Sequence, residues 1–119
     1  YADLGDFSSI LNRTVPETND TQLILTNFKN LVTANPTVRN RVMYGTDWLL
    51  LGREPKSQEY YAKMAAQLAN ALGVSDLSDL FWRNASNYLG LAAGKPTRTR
   101  LAAFYTNNGG NPAVLNAFA

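Results

Sequence analysis

Asp47 is the residue of this chain best placed to do chemistry. It ends the string Arg41-Val42-Met43-Tyr44-Gly45-Thr46-Asp47, in which a short apolar run is followed by a glycine. A carboxylate at the end of a buried segment can bind a divalent cation or take a proton from a water molecule. Gly45 lets backbone or ligand come close to it. The same Gly-Thr-Asp triplet also reads as a turn whose Asp caps the next segment. Next to it, Trp48 either walls a substrate pocket or packs beneath the loop. Arg53, in Gly52-Arg53-Glu54-Pro55, offers a planar fork to a substrate carboxylate; the alternative is pairing with Glu54 or facing water. Asp3 and Asp6 lie near the start of the chain, where they either reach the same site or serve as loop and cap residues.

The rest of the composition removes whole classes of function. The 119 residues include no Cys and no His. Thiol nucleophiles, disulfides, thiolate metal sites and imidazole bases are therefore excluded within this chain. Eleven Lys and Arg against nine Asp and Glu give a net charge of +2. The basic residues are scattered, with Arg98 and Arg100 the one local pair, read as a solvated helix face. That argues against a nucleic-acid partner, which would need a gathered basic face. No apolar run approaches the ~20 residues of a membrane span, and no basic-then-apolar leader opens the sequence. The compartment is left open, with the cytoplasm favoured.

Positioning Asp47 requires elements on both sides of it. Tyr1-Ala2-Asp3-Leu4, stopped by Gly5, reads as the end of a strand. Residues 6–16 read as loop or a short helical turn, and Thr18, Asn19 and Asp20 are N-cap candidates. Leu23, Ile24, Phe28, Leu31 and Val32 then recur at helical spacing, until Asn35-Pro36 ends that helix. Residues 41–45 lack alternation, which fits a strand buried on both faces in a parallel sheet. Residues 46–56 form a loop. Ser57 is an N-cap for a helix striped by Tyr61, Met64, Ala65, Leu68 and Leu72, with Gly73 as its C-terminal cap. Ser75-Asp76 or Ser78-Asp79 opens a further helix with Leu80, Phe81, Ala85, Tyr88 and Leu89 on its apolar face, closed by Gly90. Pro96 starts a helix through Thr106, and residues 112–118 form a last short one. A parallel pair of strands standing alone is hard to justify physically, so the pattern reads as part of a larger sheet or as a chain that pairs with others.

The string ending Gly45-Thr46-Asp47-Trp48 resembles the last barrel strand of the amidohydrolase-related family of metal-dependent hydrolases. Leu80-Phe81-Trp82-Arg83-Asn84-Ala85-Ser86-Asn87-Tyr88-Leu89-Gly90-Leu91 is similar to that family's closing helix, and Tyr1-Ala2-Asp3-Leu4 to its seventh strand. The resemblance implies an α/β fold, the C-terminal quarter of a (β/α)8 barrel, over residues 1–91. A helical tail over 92–119 matches nothing in the family. A whole barrel takes eight strands and about 250 residues, and the family's His ligands have no counterpart here. What the resemblance implies for function is part of a metal-dependent hydrolase, or a related decarboxylase. Its substrate would be small and carboxylated or cyclic. Asp47 would ligate a divalent metal, zinc, and shuttle a proton, while Trp48 and Arg53 would contact substrate. The metal belongs to the whole enzyme and not to this chain alone, which is then inactive by itself. Its partners are the substrate and the remainder of the barrel or other copies of the chain.

A rival reading is a non-catalytic helical interaction module, whose tail residues Leu101, Phe104, Val114, Leu115 and Phe118 cover a partner. Asn84 either bonds backbone near the last strand or faces outward from its helix. Three Asn-x-Ser/Thr triplets begin at Asn12, Asn19 and Asn84; in a chain this rich in Asn they are expected by chance and no glycan is assigned.

Overall fold

The computed structural model describes residues 1–5, 10–11 and 20–118. Asp6, the triplet beginning at Asn12, and the cap candidates Thr18 and Asn19 lie outside them. Strand β1 is Ala2–Asp3, followed by helix α1, Asp20–Ala34. Asn35, extended at φ −134°, ends α1 and hands over to the short α2, Pro36–Arg39, with proline in its first turn. This is the conformation a pre-proline residue favours. Strand β2 is Val42–Met43 and pairs with β1 in parallel, Ala2 beside Val42 and Asp3 beside Met43.

Next come α3, Trp48–Leu51, and a 3-10 turn, Ser57–Glu59, that runs into α4, Tyr60–Leu72. Residues 46–56, expected to be loop throughout, therefore contain a turn of helix. Ser57 is the first residue of the 3-10 turn, and the N-cap position is taken by Lys56, whose side chain makes no cap hydrogen bond. Gly73 does end α4, at φ +67°, donating its N–H to the Ala69 carbonyl. A π-helical turn, Asp79–Arg83, leads into α5, Asn84–Leu89, which Gly90 closes at φ +69°. Helix α6 is Pro96–Asn107, and a 3-10 segment, Pro112–Phe118, completes the described chain.

The core is built by α4 with its neighbours. Tyr60, Met64 and Leu68 are each 1% exposed. They stand four residues apart on one face and pack with Leu25, Val42, Leu77 and Leu80. Met64 and Leu68 of the expected stripe are buried and Leu72 packs against the core, but at the start of the helix Tyr60 is in and Tyr61 is out. In α1, Leu25 and Val32 are buried while Leu23, Ile24 and Leu31 are exposed. On α5 the inward positions are polar, Asn84 and Ser86, and Tyr88 and Leu89 face out. Nor is Arg98 a solvated residue. Its guanidinium donates to the carbonyls of Leu91 and Leu115 and, at 2.9 Å, to Asn116 Oδ1, tying α6 to both flanking segments.

The barrel quarter does not stand. The parallel pairing of β1 and β2 is present, but each strand is two residues long and the described chain is otherwise helical. A barrel strand must hydrogen-bond to a neighbour on each side. One edge of β2 meets β1, through Ala2 N–H to the Arg41 carbonyl and Leu4 N–H to the Met43 carbonyl. The other edge is closed by the π-helical turn and α5: Tyr44 N–H donates to the Leu80 carbonyl at 2.7 Å, and Asn84 Nδ2 donates to the Val42 carbonyl at 2.7 Å. No strand can be added there without displacing α5. The sheet is a small parallel clip inside a helical fold.

Candidate functional site

Asp47 follows β2 by four residues, beyond its C-terminal end, with left-handed backbone at φ 40° and ψ 60°. Asp is among the few residue types that enter this region readily. The turn lets the Asp47 carbonyl receive the N–H groups of Leu50 and Leu51, at 2.9 and 3.0 Å, and so start α3. The capping role of the triplet is thus performed by backbone, and the Asp47 side chain makes no cap hydrogen bond. That carboxylate is exposed.

The two strand ends meet beside it. A Cβ added at Gly5 would lie 3.9 Å from the Asp47 nitrogen and 2.9 Å from Asp3 Oδ1. One added at Gly45 would lie 3.0 Å from the Asp3 Cβ. A side chain at either glycine would press on Asp3, whose side chain thus lies against the end of β2. Asp3 Oδ1 accepts the Gly5 N–H at 3.0 Å. Asp3 and Asp47 therefore share the C-terminal end of the parallel pair, while Arg53 is exposed and, among the described residues, forms no side-chain hydrogen bond or ion pair. The expected Arg53–Glu54 pairing is not among the ion pairs of the described residues.

Beyond this strand end lies a shallow cleft of about 400 Å³. Tyr44, Thr46, Trp48, Leu51, Gln58 and Tyr61 are among the residues that line it. Trp48 is 74% exposed, so it walls the cleft rather than packing beneath the loop. Neither Asp47 nor Arg53 lines it. Tyr44 stacks on Phe81 at 4.7 Å and meets Tyr61 edge-on at 5.9 Å. Burial, and the nearby Tyr61, push the Tyr44 phenol up, so it stays a neutral donor. The sequence reading passed over this cluster. Its signal was the pair Tyr60-Tyr61 on one helix, which must send one ring inward and the other to the surface.

The described residues do not supply the ligand set of the divalent metal implied by the resemblance. Among the described residues no three His, Cys, Asp or Glu side chains come together. One oxygen of Asp3 is already engaged, and a zinc site takes at least three protein ligands. No family model, curated protein or solved structure matches the chain. No helix among the described residues is long and apolar enough to cross a membrane.

Proposed function

We propose that the chain carries the strand-end carboxylate of a hydrolase acting on a small molecule, with an Asp47 carboxylate oxygen taking a proton from the attacking water. The observation that supports this is the place of Asp47: just past the C-terminal end of a parallel strand pair, open to solvent and beside the Asp3 strand end. That is the end of a parallel sheet at which open α/β folds take their ligands. The likeness of residues 41–48 and 80–91 to the amidohydrolase-related family supports the same reading from sequence. The barrel is not part of the proposal, and no step is drawn through a metal that these residues cannot hold. On this reading other groups complete the site, and the 119-residue chain alone turns over no substrate.

The test is kcat/KM of the complete gene product on a panel of small amides and esters. Asp47→Asn should lower it by about 10²–10⁴-fold, the usual worth of a positioned acid or base, with Tm unchanged because the side chain is exposed. Unchanged turnover overturns the reading. So does turnover by the purified chain with one bound equivalent of zinc.

A second reading, the helical interaction module, has its own support. Phe104 and Val114 on the tail are exposed, as are Leu49 and Leu50 on α3. Light scattering coupled to size exclusion separates the readings: concentration-dependent association lost in Phe104→Ala favours the module.

A further inference from the structure

The end of α6 carries a chemistry separate from the strand end. Asn108 is the one asparagine of this sequence that is followed by glycine. The pair stands at the helix C-terminus. Asn108 is the C-cap, at φ −110° and ψ 19°, and its backbone N–H reaches the Phe104 carbonyl at 3.1 Å. Gly109 follows at φ +72°, with nothing within 4 Å of where a Cβ would go. The Gly110 N–H bonds to the Tyr105 carbonyl at 2.7 Å, and the Gly109 N–H to the Thr106 carbonyl at 3.4 Å. This is the Schellman pattern, in which a left-handed glycine closes a helix. Residues 106–111 are all exposed.

An asparagine amide is an electrophile for the backbone nitrogen that follows it. When the Gly109 nitrogen attacks Asn108 Cγ, a bond forms between them and the Cγ–Nδ2 bond breaks. The side-chain nitrogen leaves as ammonia, taking up the Gly109 N–H proton, and a succinimide ring remains. Water then adds to either ring carbonyl and returns a proton to the ring nitrogen. Opening at Cγ gives aspartate, and opening at the backbone carbonyl gives isoaspartate. Glycine hinders the attack least, since no Cβ shields its nitrogen. In the closed cap the amide is held back, because Asn108 Nδ2 donates to the Phe104 carbonyl at 2.8 Å. Attack needs rotation about Asn108 ψ. The Gly109 bond released by that rotation is the longest of the cap, at 3.4 Å, and exposed helix ends open locally at little cost.

We infer that Asn108–Gly109 is a self-modification site, at which the folded chain converts Asn108 to aspartate and isoaspartate and so undoes the cap of α6. Either product replaces the amide donor that faces the Phe104 carbonyl with a carboxylate. The new charge also stands at the negative end of the helix dipole. No acidic side chain follows Asp79 in the sequence, so this charge is foreign to the last part of the chain. Isoaspartate further routes the backbone through Cβ and Cγ, which shifts Gly110 out of register with Tyr105. The inference is independent of the hydrolase reading, since it involves only α6 and its cap.

Ageing the purified chain at mildly alkaline pH tests it, with tryptic peptides read by electron-transfer mass spectrometry. The diagnostic peptide begins at Leu101, after Arg100. Asn108 should convert at least about tenfold faster than any other asparagine, with isoaspartate among the products. Asn84, with its amide buried and both protons donated, should stay intact. Gly109→Ala should slow conversion at Asn108 by at least about tenfold. Strain at φ +72° loosens the cap in that variant and would speed the reaction, so loss of structure cannot imitate the result. Aged protein should exchange amide hydrogens faster in residues 104–110 than fresh protein, and Asn108→Gln, whose longer side chain closes a ring far more slowly, should show no such change. Conversion no faster than at the other asparagines, aspartate without isoaspartate, an undiminished rate in Gly109→Ala, or unchanged exchange in aged protein overturns the inference.

Discussion

Asn84 shows how much one polar side chain can hold. Its amide is 3% exposed and gives both protons away, to the carbonyls of Arg39 and Val42, each at 2.7 Å. Asn84→Ala strands both acceptors in the interior and should destabilise the chain by about 2–3 kcal/mol in urea titrations. Asn84→Asp should cost more, since a carboxylate would face two carbonyl oxygens. A loss under about 0.5 kcal/mol for either would mean the edge of β2 is held otherwise. The same engagement makes Asn84 unavailable as a glycan acceptor once folded. Tyr44 gives a pH signature. Its phenol is raised above 10.0 in the folded chain, chiefly by burial. The contribution is fully present below pH 10.0 and declines as pH rises towards the folded value, because the unfolded chain ionises first. Stability of the wild type should therefore fall relative to Tyr44→Phe above pH 10.0, read by denaturation at stepped pH; parallel curves would refute the assignment.

At the scale of elements, two backbone positions make opposite predictions. Gly73 ends α4 at φ +67° with nothing within 4 Å of where a Cβ would go. Gly73→Ala therefore suffers conformational strain without any clash and should lose about 1 kcal/mol, seen as a lowered Tm. Lys56 stands at φ 64°, is exposed, and is not glycine. An L-residue pays roughly 1–2 kcal/mol there and glycine roughly 0.5–1 in chain entropy, so Lys56→Gly should stabilise by about 0.5 kcal/mol. A decrease in stability would show that the Lys56 side chain makes a contact worth more than its strain. Between these positions, α4 is reinforced by the Lys63–Glu59 pair at 2.8 Å, one turn apart on its surface. That pair holds the Glu59 carboxyl below its usual range.

The whole molecule is long and thin, 54 × 35 × 21 Å, with a radius of gyration of 17.0 Å. A compact domain of this length would have roughly 13–14 Å. The extension reflects two bodies of packing: the core around α4, and α6 with the last 3-10 segment, where Leu115 is buried and Arg98 is the tie. Small-angle scattering of the monomer should return a radius of gyration near 17 Å; a value near the compact figure would mean the tail folds back onto the core. Arg98→Ala should leave the core transition intact and increase hydrogen exchange in residues 91–118, since it removes the donor shared by Leu91 and Leu115.

Local signals were legible where the physics is local. Asn35-Pro36 had to end a helix, Gly73 and Gly90 had to cap one, Pro96 had to begin one, and residues 42–43 do form a parallel strand. Each follows from the allowed backbone angles of the residue concerned, which no tertiary partner can change. The α4 stripe was legible at Met64, Leu68 and Leu72 and wrong at its first position, because Tyr60 and Tyr61 are equally able to be buried and the choice between them depends on what α4 packs against. The strand end at Asp47 was readable; the barrel was not there to be read, because whether β2 takes a second neighbour depends on Asn84 and Leu80, which are 42 and 38 residues further along the chain than Val42. Backbone stiffness and residue chemistry are fixed by the chain itself, whereas the filling of a sheet edge and the gathering of aromatic rings into a cleft are decided by which distant groups arrive there first in space.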